Sequence, residues 1–229
     1  MSEFHIAIDG PLAAGKGSVS KLAAERLGFV YIDTGAMYRM TAYLALQQLA
    51  AITDEEKVSH IIEEADMDMR SPTPDEKDGR LVTVLLNGED VSWHIRTEEI
   101  SAASSKVAAY KKVREQLVPK QQAIAKGKDV VMEGRDITYR VLPEAQLKIF
   151  LTASDIIRAK RRHFQLLSKG QDISLDEVYR ELVERDKRDM ERSVDPLKIV
   201  PEAWVLDTSD LDIEEVVELI VGRVQAMRS

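Results

Sequence analysis

The run Gly10-Pro11-Leu12-Ala13-Ala14-Gly15-Lys16-Gly17-Ser18 carries the strongest chemical signal in the chain. It follows an apolar run containing Phe4, Ile6 and Ile8 and precedes a helical period at Val19, Leu22, Ala23 and Leu27. A glycine-rich turn between a strand and a helix lets backbone N–H groups point inward around phosphate oxygens. The helix N-terminus adds partial positive charge, and Lys16 adds a full one. The pattern predicts polyphosphate binding by residues 10–18, the alternative being a glycine-rich turn with an exposed lysine. A P-loop has Ser or Thr directly after its lysine. Here Gly17 intervenes, and Ser18 supplies the hydroxyl expected near a bound Mg2+. No Asn-Lys-x-Asp motif is present, which disfavours a guanine-nucleotide switch. Glu133, after the apolar run at 130–132, stands where a P-loop protein often places an acid near the metal. An ordinary strand-end carboxylate is the other reading of it.

Further cations fall at strand ends. Asp33-Thr34-Gly35-Ala36-Met37-Tyr38-Arg39 follows the second strand, and Gly134-Arg135-Asp136 follows the third. Ligands of open parallel sheets gather beyond the carboxyl ends of the strands, so Lys16, Thr34, Arg39 and Arg135 are aimed at one crevice. Clustered guanidinium groups suit phosphate because each can donate two parallel hydrogen bonds. Arg39 alone also reads as a solvated helix charge. In the helix over 184–192, Arg185, Asp189 and Arg192 share one face at i, i+4 and i+7. That run is either a helix laced with ion pairs or part of the crevice. Arg158, Lys160, Arg161 and Arg162 are four cations with no acid among them. They read as a mobile basic segment that closes over phosphates.

The elements that must position these groups alternate between strand and helix. Strands are expected at 4–8, 29–32, 129–132, 147–151 and 204–206. Helices are expected from residue 18 to Gly28, over 36–50, 54–65, 97–125, 154–168 and 174–192, and from Asp212 onward. Thr53 with Glu56 and Asp212 with Glu215 have capping-box spacing. Such alternation gives a parallel sheet covered by helices. Residues 66–94 change character: an exposed loop at 71–77, a strand at 81–86, a hairpin turn at Asn87-Gly88 and a return at 91–93. The expectation is a small antiparallel insert in an α/β chain. His5, His60, His94 and His163 have no metal-ligand spacing, His5 reads as a strand-edge residue, and Trp93 and Trp204 read as core.

Composition narrows the class. The 229 residues carry 32 Lys and Arg against 40 Asp and Glu, a net charge of −8, with no Cys. A general nucleic-acid binder needs a basic excess, so nucleic acid is not an expected partner. The absence of Cys excludes disulfides, a thiolate nucleophile and Cys-based zinc sites. No stretch approaches the ~20 apolar residues of a membrane span, and the first residues do not read as a signal peptide. A cytoplasmic, single-domain monomer is expected.

Taken together, the motifs resemble the bacterial cytidylate kinase family from Ile6 to the final helix. The G-K-G-[ST] ending at 15–18 is similar to the nucleoside monophosphate kinase form of the loop. More specific are D-T-G-A-x-Y-R at 33–39, L-N-G-E-D-V-S at 86–92, I-R-T at 95–97, V-R-E at 113–115, G-R-D at 134–136 and E-R-D-x-R-D-x-x-R at 184–192. The resemblance implies a P-loop kinase fold: a central parallel sheet flanked by helices, an antiparallel nucleotide-binding insert at about 63–105 and a helical lid at about 155–175. It implies Mg2+-dependent transfer of the γ-phosphoryl group of ATP to CMP or dCMP. Residues 10–18 with Arg158 and Arg162 would then hold ATP, and Ser18 would lie at the metal. Thr34, Arg39, Arg135 and Arg192 fall where the family binds the acceptor nucleotide and its phosphate, Ser105, Arg114 and Asp136 where it reads cytosine, and Arg185 and Asp189 at the sugar and phosphate. Lys16, Arg135, Arg185 and Arg192 become the catalytic cations. The chain departs from the family after G-R-D, where Ile137-Thr138-Tyr139-Arg140-Val141 replaces a Met-Gly-Thr-Val-Val type segment, and at Leu12 and Ala13, where smaller residues are usual. Rival readings are a kinase for UMP, dTMP or shikimate, and a non-catalytic ATP-binding regulator, for which the converging arginines have no use.

Overall fold

Strands buried on both faces of a parallel sheet must be apolar without alternation, and Ile6, Ala7 and Ile8, like Val130, Val131 and Met132, are fully buried. In the computed structural model, which describes residues 3–76 and 78–228, these runs form the middle of a five-stranded sheet. Met1, Ser2 and Lys77, part of the expected N-terminal and loop readings, and Ser229 lie outside the described residues. The strands of this sheet are β1 (His5–Asp9), β2 (Val30–Asp33), β6 (Val130–Gly134), β7 (Leu147–Thr152) and β8 (Trp204–Asp207). They pair in the order β2-β6-β1-β7-β8, all parallel.

Eight helices flank and extend the sheet among the described residues: α1 (Lys16–Leu27), α2 (Thr34–Gln47), α3 (Glu55–Ile61), α4 (Glu98–Val107), α5 (Lys111–Ala125), α6 (Asp155–Ser168), α7 (Leu175–Glu191) and α8 (Ile213–Arg228). Their ends follow local chemistry. Gly28 closes α1 at φ 69°, its N–H bonding back to the Ala24 and Glu25 carbonyls. Asp212 and Glu215 form the expected capping box at the start of α8. The box expected at Thr53 and Glu56 is not made. Asp54 caps α3 instead, accepting from the Lys57 N–H at 3.1 Å. The expected helix over 97–125 is two, α4 and α5, with Thr97 capping the first.

The insert is a three-stranded antiparallel sheet, β3 (Met67–Arg70), β4 (Thr83–Leu86) and β5 (Glu89–Asp90), in that order. Asn87 and Gly88 both take positive φ, as the hairpin requires. The return strand begins two residues earlier than expected. β3 lies in a stretch whose alternation, buried Met67 and Met69 around exposed Asp68, is a half-buried strand signature. Two expectations about aromatic and imidazole groups are corrected. His5 opens the central strand rather than an edge, and Trp93 is 46% exposed, its indole N–H donating to Asp78 at 2.7 Å. Val91 and Ser92 just before it are buried, so the chain turns its buried face inward there and leaves the Trp93 side chain outside.

Gly10 sits where the phosphate loop leaves β1 and crosses β7. A Cβ there would lie 2.0 Å from the Leu151 carbonyl oxygen. Gly222, exposed on α8, has open space instead. Gly10→Ala is therefore expected to lose about 3 kcal/mol or more of stability by overpacking against backbone. Gly222→Ala should gain up to about 1 kcal/mol from helix propensity. Urea unfolding of both variants measures this, and a Gly10→Ala protein as stable as wild type would refute the close approach.

Candidate active site

The carboxyl ends of β1, β2 and β6 open into a cleft of about 460 Å3, closed on its far side by α4, α6, α7 and the insert. Of the expected phosphate-loop residues, Leu12, Ala13, Ala14, Gly15, Lys16, Gly17 and Ser18 line it. Gly10 and Pro11 lie behind, the first against β7 and the second offering its carbonyl to Lys16 Nζ at 2.8 Å. Gly15 takes φ 92°, and Ala13 takes φ 58°. Ala13 thus holds the left-handed backbone that the more usual glycine would adopt freely.

Lys16 is buried, and its Nζ donates to the Pro11 carbonyl. Burial, then the Arg135 charge, pushes its ammonium down to about 7, against the pull of Glu133 and Asp9. Glu133 is also buried and accepts from the Tyr31 hydroxyl at 2.7 Å. Burial, then Asp33, raises its carboxyl above the usual range. A Cβ on Gly17 would lie 3.2 Å from Glu133 Oε1, so this carboxylate stands against the phosphate loop one residue from Ser18.

At the end of β2, Thr34 Oγ1 donates to the Glu133 carbonyl at 2.7 Å. Arg39 pairs with Asp33 at 2.6 Å, and Arg96 lies 3.7 Å from the same carboxylate. Burial opposes the Asp33 charge, yet the two guanidinium groups outweigh it and hold the carboxyl below its usual range. At the end of β6, Arg135 Nε donates to Asp189 of α7 at 2.8 Å. Asp136, 4% exposed, pairs with Arg114 and lies 3.5 Å from Arg192. Arg185 donates to Ser101 Oγ at 2.8 Å, and its buried Nε has no partner among the described residues. Burial, then Arg135, lowers its guanidinium to about 10. Ser105 lines the cleft with a buried hydroxyl that likewise has no partner among the described residues.

The structure brings Lys16, Thr34, Arg39, Ser105, Arg135, Asp136, Arg162, Arg185, Asp189 and Arg192 together around the cleft. Besides Gly10 and Pro11, two expected residues stand outside the lining. Arg114 is 1% exposed and lies behind Asp136, outside the lining. Arg158, expected as a free lid cation, is buried and fully engaged. It bonds the Leu12 carbonyl at 2.8 Å, Asp186 at 2.5 Å, Asp155 at 2.7 Å and the Ala153 carbonyl at 3.0 Å. Asp186 also accepts from the Leu12 N–H at 3.1 Å. In this conformation Arg158 braces the phosphate loop to α7. Arg162, one turn on, does face the cleft, where it pairs with Glu98.

Sequence reasoning missed Asp9, Arg80, Arg96 and Lys169. Arg96 belongs to the I-R-T motif, and Arg80 and Lys169 line the opening from the insert and the end of α6. Asp9 is fully buried and accepts from the N–H groups of Ile137 and Thr138 and from Thr138 Oγ1, at 2.7–2.9 Å. Burial, then Asp136, raises it to about 6. The departing segment Ile137–Val141 is thereby a single π-helical turn hung on Asp9. Thr138 adds a hydroxyl bond that a glycine could not make.

Comparison with known proteins gives the family of the chain. Residues 6–226 match the family model described as Cytidylate kinase. The chain is 46% identical over 222 residues to a cytidylate kinase of Bacillus thuringiensis (strain Al Hakam), covering 97% of this chain and 96% of that one. A cytidylate kinase of Bacillus anthracis (strain CDC 684 / NRRL 3495) is 46% identical over 219 residues, covering 96% and 95%. The solved structure of TT1252 from Thermus thermophilus aligns over 100% of both chains with a TM-score of 0.50 and 18% identity, a likeness of fold.

The state of Lys16 generates a pH test. Above pH 7 the free protein loses the Lys16 proton, whereas a bound phosphate favours the ammonium. Binding must then take up a proton, so affinity falls as pH rises, by up to about tenfold per pH unit. Calorimetry with tripolyphosphate at pH 8, in two buffers of different ionisation enthalpy, should show proton uptake. Affinity that is flat or rising between pH 7 and 9 would show Lys16 charged throughout.

Proposed function

The chain belongs to the cytidylate kinase family, and on that premise we propose how its cleft performs the family's reaction. That reaction moves the γ-phosphoryl group of ATP to CMP or dCMP, giving ADP and CDP or dCDP. The observation that carries the assignment of roles is the convergence of Lys16, Arg135, Arg185 and Arg192 on one cleft from the phosphate loop, the end of β6 and α7. Two anionic nucleotides must meet in line, and the charge on the transferring group must be neutralised.

The backbone of 12–18 and Lys16 hold the ATP phosphates, with Gly10 and Pro11 shaping the loop behind them. The lid spans about 155–175. Arg162 approaches the phosphates from it while Arg158 secures the loop's far side. Thr34 and Arg39 receive the acceptor nucleotide, whose phosphate lies among Arg39, Arg135 and Arg192. Arg185 and Asp189 serve the sugar and phosphate. Arg185, Arg135 and Lys16 stabilise charge on the group in flight. No general base is required, because the acceptor phosphate dianion is itself the nucleophile. The insert at about 63–105 closes the acceptor side, and one chain supplies every group, so the enzyme acts as a monomer.

Among the described residues no cluster of three or more His, Cys, Asp or Glu could cage a metal ion. Ser18 and Glu133, hard oxygen donors beside the phosphate loop, fit Mg2+ that keeps waters and phosphate oxygens as its other ligands. Bound there, Mg2+ supplies positive charge to the donor phosphates.

The base is read by Asp136. Cytosine presents an amino donor at C4, whereas uracil presents a carbonyl. An ionised carboxylate can only accept, so it suits the first and repels the second. Burial raises the Asp136 carboxyl above its usual range, Arg114 behind it opposes that shift and orients the carboxylate, and Ser105 offers a further hydroxyl.

Two outcomes follow. Lys16→Ala should fold but lose about 10²–10³ in turnover, the usual effect of removing one electrostatic donor; near-native ADP release from a folded variant would take the loop out of the mechanism. ADP release over a panel of monophosphates should favour CMP and dCMP over UMP, with a ratio of kcat/KM reaching about 10⁴ if recognition is fully desolvated. Asp136→Asn, able to donate to the uracil carbonyl, should narrow that ratio. UMP equal to CMP in the wild type would refute the base assignment.

A further inference from the structure

Asp195, four residues beyond the end of α7, holds φ at 45°, a left-handed backbone that a non-glycine residue seldom adopts. Such outliers persist where the surroundings fix them, and they cluster at functional sites. This conformation turns both acceptors of one residue onto two arginines. Asp195 Oδ2 accepts from Arg114 Nε at 2.7 Å, and its backbone carbonyl accepts from Arg192 Nε at 2.7 Å. Arg114 also reaches Asp136 through Nη2, and Arg192 Nη2, shared with the Asp195 carbonyl, lies 3.5 Å from Asp136 Oδ1.

The segment around Asp195 is clamped to the π-helical turn, the stretch that departs from the family pattern. Arg140 Nε lies 3.6 Å from Asp195 Oδ2, and the Tyr139 hydroxyl donates to the Pro196 carbonyl at 2.5 Å. Lys198 Nζ stands 4.0 Å over the Tyr139 ring. Leu197 N–H donates to the Asp189 carbonyl at 2.8 Å. The residues that replace the usual sequence are thus the ones that seat Asp195.

We infer that Asp195 is a positioning residue for the acceptor base, orienting Arg114 and Arg192 and through them the Asp136 carboxylate. The inference rests on the reading of Asp136 given above. Arg114 is almost wholly buried, so its Nε–H has no water to turn to if the Asp195 carboxylate is removed. Among the described residues Asp136 would then be the one carboxylate left paired with Arg114. The pull of Arg114 would rotate it away from the base, while the phosphate loop, on another strand, would be untouched.

Two variants separate the parts. Asp195→Gly keeps the left-handed backbone and its carbonyl and deletes only the carboxylate. Asp195→Asn keeps an oxygen that can accept from Arg114. The expected result for Asp195→Gly is a rise of about tenfold in KM for CMP, the size of one lost charge-assisted hydrogen bond. KM for ATP should stay within about twofold, and the preference for CMP over UMP should shrink. Asp195→Asn should restore most of both. CMP affinity measured by calorimetry without ATP should follow the same order. An unchanged KM for CMP and an unchanged CMP to UMP ratio in Asp195→Gly would overturn the inference. So would equal losses toward ATP and CMP accompanied by a lower melting temperature, which is the mark of a merely structural residue. A wild type that does not prefer CMP would instead sink the reading of Asp136.

Discussion

The Arg135–Asp189 ion pair joins the end of the central sheet to α7, and it exemplifies the constraint the rest of the cleft obeys. Guanidinium groups withdrawn from water cannot be left unpaired without a large desolvation cost. The cleft therefore carries its own carboxylates: Asp33 for Arg39 and Arg96, Asp189 for Arg135, Asp136 and Asp195 for Arg114. These acids hold the cations in place while phosphate is absent. The arginines are thereby preorganised, so little rearrangement is needed when an anion arrives.

Two cations are less well matched, and they mark where charge is missing. Lys16 donates to a carbonyl, Arg185 donates to a serine hydroxyl, and burial, then the positive charge of Arg135, depresses both. They flank the space where the account puts the phosphoryl group during transfer. An incoming phosphate supplies the countercharge that burial has withheld. Binding energy, proton uptake and positioning of the reacting groups then come from one electrostatic source.

Much of this was legible in the chain. Strand–helix alternation located every strand of the parallel sheet, because strands buried on both faces are written as short apolar runs. The phosphate loop was legible because turn chemistry, strand and helix coincide there. Partnerships between distant residues were not. Spacing placed Arg158 beside Arg162 in one basic cluster, yet one faces inward to Asp186 and the other faces the cleft. Only the packing of α6 on α7 decides between them. Nothing in the sequence marks Asp9, whose role depends on a backbone donor 128 residues away. β3 carried a readable period-two signal in Met67 and Met69 that its short length and acidic flanks obscured.

The paired arginines form a waiting phosphate site, so that the acceptor's phosphate, not its base and sugar, accounts for most of its affinity. Comparing CMP with cytidine by calorimetry, without ATP, measures that directly. The account predicts that CMP binds more tightly by about 10³-fold or more, as several charge-assisted hydrogen bonds require, and that the gap closes as salt is added. Equal affinity for CMP and cytidine would contradict it.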